Sequence, residues 1–143
     1  MVQDSMASFK LSKREYETLA AFRFSLRQFL RFSEEAAKSE GTSPQQYLAL
    51  LAIKGYPSRE QVKIGELAER LQVQHHSAVG LVDRLVAEGM VSREPSEEDR
   101  RQVFIRLTER GEELLGKLAS VHREQLRRIG PELRRILGLL SDE

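Results

Sequence analysis

The chain has 143 residues, 23 basic and 22 acidic side chains, a formal charge of +1 and no cysteine. That excludes a disulfide scaffold, a thiolate metal site, a thiol redox switch and any polybasic or acidic tail. No apolar run approaches the ~20 residues that span a bilayer, and the N-terminal stretch lacks the apolar core of a secretory signal. The chain reads as one soluble cytoplasmic domain with no membrane association. An aromatic content of 6% points to an aliphatic, mostly helical core.

Along the chain, Ser12-Lys13-Arg14-Glu15 forms a capping box, flanked by Leu11 and Tyr16 at hydrophobic-staple spacing. Leu19, Phe22, Leu26 and Phe29 then recur at intervals that place them on one helical face. This helix is expected to run to about Ser39 and end at Gly41. Ser43-Pro44-Gln45-Gln46 starts a second helix, with Pro44 in the first turn and Gln46 completing the cap. Tyr47, Leu48, Leu50, Leu51 and Ile53 make it apolar on most sides and predict that it is buried, and Gly55-Tyr56-Pro57 ends it. Ile64, Leu67, Ala68 and Leu71 mark a short third helix, and the turn Gln72-Val73-Gln74 leads into a fourth. The fourth covers about 75–88, with Ala78, Leu81, Val82 and Leu85 inward and Gly89 as its stop.

Two short β-segments follow, Val91-Ser92-Arg93-Glu94 and Val103-Phe104-Ile105-Arg106-Leu107, with Val103, Ile105 and Leu107 on one face. A polar loop joins them. Thr108 caps a long fifth helix, Gly130-Pro131 is expected to break it, and Leu133, Ile136, Leu137 and Leu140 define a last short helix. Two helices joined by a three-residue turn and followed at once by a β-hairpin form a winged helix-turn-helix. Its second helix, ~10–12 Å across, matches a DNA major groove ~12 Å wide. Such lobes also serve as protein-docking modules.

The residues narrow this further. Ile64-Gly65-Glu66-Leu67-Ala68-Glu69-Arg70-Leu71, Ser77-Ala78-Val79 and Leu81-Val82-Asp83-Arg84-Leu85 resemble the helix-turn-helix of the MarR family of bacterial transcription regulators. Glu88-Gly89-Met90-Val91, Asp99-Arg100-Arg101 and Leu107-Thr108-Glu109-Arg110-Gly111 continue the likeness, which covers nearly the whole chain. The wing signature (Asp, any residue, Arg, then apolar residues and Leu-Thr) is its most specific part. The resemblance implies a homodimer with intertwined terminal helices, two winged lobes on a palindromic operator in double-stranded DNA, and release by a small aromatic effector. Neither enzymatic activity nor a cofactor is expected. The apolar stripes Leu19, Phe22, Leu26, Leu133, Ile136, Leu137 and Leu140 suit a dimer seam, exceeding what one small lobe covers.

With Ala78, Val82 and Leu85 inward, the outward face of the fourth helix carries His75, His76, Ser77, Val79 and Gly80. Those positions match the family's base-reading stretch. Imidazole and hydroxyl groups hydrogen-bond base edges or phosphates, and Val79 suits a thymine methyl. Gly80 departs from the polar or basic residue common there, Gln74 from a frequent capping Ser and Gln72 from a common turn Gly. Arg84 is a phosphate-contact candidate that Asp83 is placed to orient, with pure scaffolding as the competing reading for the pair. On the wing, Asp99, Arg100 and Arg101 are the candidates. The family pattern implies that Asp99 holds Arg101 extended into a narrow minor groove, where negative potential is strongest. Phe22, Leu26 and Tyr47 are candidate walls of an effector pocket, with core packing as the alternative for each.

Residues 57–107 hold eight basic and nine acidic side chains, so binding depends on where charges sit and not on their sum. His75 and His76 are adjacent and diverge by about 100° on a helix, which argues against a chelating pair, and no metal site is expected. Phosphate-cradling glycine loops, metalloprotease histidine pairs and nucleophile elbows are missing from the sequence. The expected fold is mainly α: one domain over 1–143, with a winged helix-turn-helix lobe (three-helix core plus β-hairpin wing) at 57–107. The N- and C-terminal helices, 11–56 and 108–143, form the dimerisation part. The expected function is sequence-specific DNA binding that represses transcription, and its rival is a winged-helix protein-interaction adaptor without an operator.

Overall fold

A computed structural model describes residues 10–141. The element order is α1 (Lys13–Ser39), α2 (Pro44–Lys54), β1 (Gln61–Val62), α3 (Ile64–Leu71), α4 (His75–Ala87), β2 (Val91–Pro95), β3 (Val103–Leu107) and α5 (Glu109–Ser141). The chain divides into two compact units: Glu34–His122, and the segments before and after it.

The caps form as their chemistry requires. The Glu15 amide donates to Ser12 Oγ at 3.1 Å while the Ser12 amide donates to Glu15 Oε1 at 2.9 Å, a reciprocal box that starts α1. Ser43 Oγ accepts the Gln46 amide at 3.2 Å, and Pro44 occupies the first turn of α2. The Gln46 side chain does not complete that cap. It accepts from Thr42 Oγ1 at 2.7 Å and donates to Glu88, tying the start of α2 to the end of α4. Helix α2 is also less covered than its composition implies, since Leu48 and Leu51 remain 46% and 40% exposed.

Within Glu34–His122, the core joins Leu50 and Ile53 of α2, Leu67 of α3, Leu81, Val82 and Leu85 of α4, Val62, Val91 and Ile105 of the sheet, and Leu115 and Leu118 of α5. Each such aliphatic side chain contributes roughly 1.5–3 kcal/mol on burial, against ~0–1 for a surface ion pair. Packing therefore holds the lobe, and ion pairs adjust it. The sheet is antiparallel in the order β1-β3-β2. Strand β1 is not signalled in the sequence, because two residues are too few for any periodicity. Val62 faces the core opposite Ile105. Of the three β3 residues expected on one face, Ile105 and Leu107 are buried, whereas Val103 is exposed beyond the core.

In the other unit, Ile136 is 1% exposed and Thr18 is buried, its hydroxyl donating to the Arg14 carbonyl at 2.9 Å. Ile136 is thus core within the chain and is not part of an exposed seam. Leu19, Phe24, Leu30, Leu126, Leu137, Leu139 and Leu140 are exposed. The break expected at Gly130-Pro131 does not occur, and α5 runs through Pro131. Proline disfavours helix partly by clashing with the Cβ of the residue before it. Gly130 has no Cβ, and Pro131 lies on an exposed side, so the penalty falls. No described helix is long and apolar enough to cross a membrane.

Candidate nucleic-acid interface

The interface is built on the α3–turn–α4 unit. Glu66 caps the start of α3 by accepting the Lys63 amide at 2.8 Å, and it also accepts from Arg59 and, at 3.2 Å, from the Tyr56 hydroxyl. Burial pushes the Glu66 carboxyl up, but the Lys63 amide, Arg59 and Tyr56 together outweigh it and hold the group below 4.5. Helix α3 ends at Gln72, which adopts the left-handed conformation (φ 55°, ψ 48°). Its amide and its Nε2 both donate to the Glu69 carbonyl, at 3.1 and 2.7 Å. That sharp turn aims α4.

On α4, Ala78, Leu81, Val82 and Leu85 are buried and fix the rotation of the helix. His75, His76, Ser77 and Arg84 are exposed on the opposite side, and Val79 and Gly80 are half-buried. The Gln74 side chain supplies no cap, and its carbonyl accepts the Ser77 and Ala78 amides, both at 3.1 Å. Asp83 does not orient Arg84. It pairs with Arg93 of β2, which projects toward α4 because it sits opposite Ile105 in the strand register. The sequence reading missed Arg93, although strand alternation from the inward Val91 carried the signal.

The wing tip is closed by local bonds. The Ser96 amide donates to the Gln102 carbonyl and the Gln102 amide to the Asp99 carbonyl, both at 2.9 Å. Asp99 Oδ1 accepts the Arg101 amide at 3.1 Å and Arg101 Nε at 3.2 Å, while Oδ2 faces the terminal guanidinium nitrogen at 3.4 Å. The Arg101 guanidinium, followed by its backbone amide, holds the Asp99 carboxyl below its ordinary value, and Lys63 adds to the effect. The Arg101 side chain is nonetheless 91% exposed, and Arg100 is exposed beside it.

The wing root is anchored by Thr108, whose hydroxyl donates to the Gly89 carbonyl at 2.6 Å and accepts the Gly111 amide at 3.1 Å. A Cβ at Gly111 would lie 2.0 Å from the Met90 carbonyl oxygen, so only glycine permits this approach of α5 to the root. Gly89 itself has φ +75°, the left-handed state that stops α4 at the expected place.

The remaining candidates lie elsewhere. Phe22 and Leu26 are half-buried on α1. Tyr47 is 4% exposed on α2, its ring stacked on His122 with centroids 4.3 Å apart. His122 is buried and its Nδ1 lies 2.7 Å from the Leu118 carbonyl. Among the described residues, no three His, Cys, Asp or Glu side chains gather as metal ligands would.

Comparison with known proteins places this geometry. Residues 40–102 match the model of the MarR family. The HTH-type transcriptional repressor MdtR of Bacillus subtilis is 30% identical over 78 residues, covering 54% of this chain and 48% of that protein. The transcriptional activatory protein BadR of Rhodopseudomonas palustris is 31% identical over 85 residues, covering 59% and 49% respectively. The chain thus spans about half the length of these curated relatives. Among solved structures, AbsC, a MarR family transcriptional regulator from Streptomyces coelicolor, superposes with a TM-score of 0.72 at 23% identity, covering 87% of this chain and 83% of that one. A variant of S. aureus MepR bound to an oligodeoxyribonucleotide superposes with a TM-score of 0.67 at 17% identity, covering 92% of this chain and 100% of that one. With its helix-turn-helix, its Asp99–Arg101 wing and its Thr108–Gly111 root all in place, the chain has the winged-helix fold of these solved structures, and its residues 40–102 are similar to the MarR family.

Proposed function

We propose that this chain is a sequence-specific DNA-binding transcription regulator that acts as a homodimer, with α4 in the major groove and the wing in the adjacent minor groove. The observation that carries the reading is the Asp99–Arg101 fork. A carboxylate grips the guanidinium from two sides, yet leaves the side chain 91% exposed at the wing tip. An arginine whose guanidinium is held exposed in this way suits a narrow minor groove. His75, His76 and Ser77 face outward at the start of α4, with Val79 half-buried beside them, and Arg84 and Arg100 suit phosphate. The oligodeoxyribonucleotide in the MepR complex supports the same use of the fold.

Dimerisation belongs to the reading because apolar side chains of α1 and α5 lie exposed outside Glu34–His122, with Phe24 at 63% and Leu137 at 50%. Two symmetric lobes would then read a palindrome with half-sites about one helical turn apart. Repression by promoter occlusion, relieved by a small aromatic effector against Phe22 and Leu26, completes it. The Tyr47 ring, already stacked on His122, is a packing residue in this scheme and lines a ligand site only if that stack opens.

Selection from random duplexes with the purified protein tests the reading, with affinity for the enriched sequence then measured across salt concentrations. The expected result is an inverted repeat whose affinity falls steeply with salt. Enrichment of no sequence overturns it in favour of a protein-interaction adaptor.

A further inference from the structure

Helix α4 opens onto a groove of about 500 Å³ in which Gly80 lies among Leu48, Val73, His76, Ser77 and Arg84. Gly80 is in the interior of the helix, with no positive φ, and a Cβ built on it meets nothing within 4 Å. Neither backbone conformation nor packing requires glycine there. A helix-interior glycine nevertheless destabilises a helix more than any residue except proline. Other helix glycines of the chain, such as Gly116, are equally open. Gly80 differs in what surrounds it. Leu48 and Val73 flank it with apolar surface left 46% and 37% exposed, and hydrogen-bonding side chains stand one turn away on either side.

Charge identifies the occupant. Among the described residues lining this groove, Arg84 is a cation and no carboxylate is present. The groove beneath the wing, in contrast, sets Glu94, Glu97 and Glu98 among Arg59, Lys63 and Arg106, so its charges offset one another. In a chain with nearly equal numbers of acids and bases, an acid-free apolar notch beside Arg84 fits a polyanion that also carries apolar groups. The major-groove edge of duplex DNA is such a surface, its thymines presenting C5-methyl groups.

Resting on the function proposed above, we infer that Gly80 determines base preference: its missing side chain lets the α4 backbone ride close to the base edges and receives a thymine methyl in the notch flanked by Leu48 and Val73. His76 and Ser77 then bond neighbouring edges. Gly80 thus lowers the stability of α4 in exchange for approach to the duplex.

The test compares the full chain with Gly80→Ala and Gly80→Leu. Both replacements favour helix, so both are expected to raise the melting temperature, by roughly 2–4 °C for alanine. Both should weaken binding to the selected operator, roughly tenfold or more and further for leucine, and by a larger factor than they weaken binding to random-sequence duplex. Replacing the operator thymines one at a time with deoxyuridine should reveal a position in each half-site whose methyl matters to the wild-type protein and no longer matters to Gly80→Leu. Wild-type operator affinity in Gly80→Ala overturns the inference, as does a methyl effect that survives in Gly80→Leu. A fall in melting temperature for both variants overturns it too, by making Gly80 a residue of the fold. Failure of the wild-type chain to enrich any sequence is a different result, and it removes the proposed function itself.

Discussion

A carboxylate beside a DNA-facing arginine sets two electrostatic effects against each other. Asp99 repels phosphates, yet it grips Arg101 through both oxygens and the backbone amide. If the second effect governs binding, Asp99→Ala weakens operator binding at moderate salt although it removes a negative charge, because Arg101 then loses more side-chain entropy on entering the groove. Arg101→Ala should weaken binding as well and reduce the slope of log affinity against log salt by about one. Both are measured by titration across salt concentrations, with circular dichroism confirming an unchanged fold. Tighter binding by Asp99→Ala would make that residue a plain surface charge. At this scale the sequence was informative where motif and geometry were local: Asp99 and Arg101 are two positions apart, and their fork needs only a tight turn. Asp83 was misassigned to Arg84 because its partner, Arg93, reaches it only once β2 has folded beside α4.

The elements show the same division between local and distant causes. Ser12, Ser43 and Gly89 start or stop their helices where the sequence placed them, because a cap uses neighbours within a few residues. Gln72 is the informative departure. It adopts a left-handed conformation that costs a non-glycine residue roughly 1–2 kcal/mol, partly offset by its own bond to Glu69 at 2.7 Å. Gln72→Gly removes the strain and the bond, and it also loosens the unfolded chain. The net expectation is a gain of about 0.5 kcal/mol, read as a higher urea midpoint at unchanged slope. A lower midpoint would mean that the side-chain bond outweighs the backbone strain. Pro131 misled in the opposite direction: a helix breaker by propensity, it is accommodated inside α5 after a residue without a Cβ.

For the whole molecule, the exposed apolar surface of α5 decides the expected assembly. Leu137 and Leu140 are 50% and 42% exposed, so replacing both with Asp leaves the packing inside one chain largely untouched. In a dimer seam the same carboxylates would be buried without partners, a cost of several kcal/mol. The wild-type protein is therefore expected to scatter light as twice 16.4 kDa at micromolar concentration, and Leu137→Asp/Leu140→Asp as a single 16.4 kDa chain. A wild-type mass of 16.4 kDa overturns the dimer. Ile136, which the sequence grouped with the seam, is left out of the pair because the fold buries it within one chain.

The sequence by itself determined the helical character, the order of the helices, the turn at Gln72, the hairpin, the wing signature and the outward face of α4. These follow from periodicity, caps and turn chemistry, all of which act over a few residues. Only the tertiary structure decided that Gln46 bonds Glu88 instead of capping α2, that Arg93 takes Asp83, that a two-residue β1 pairs with β3, and that Gly111 is required by the Met90 carbonyl. Each of these depends on groups far apart in the chain, whose meeting is set by how the aliphatic core closes, and no short stretch of sequence carries that information.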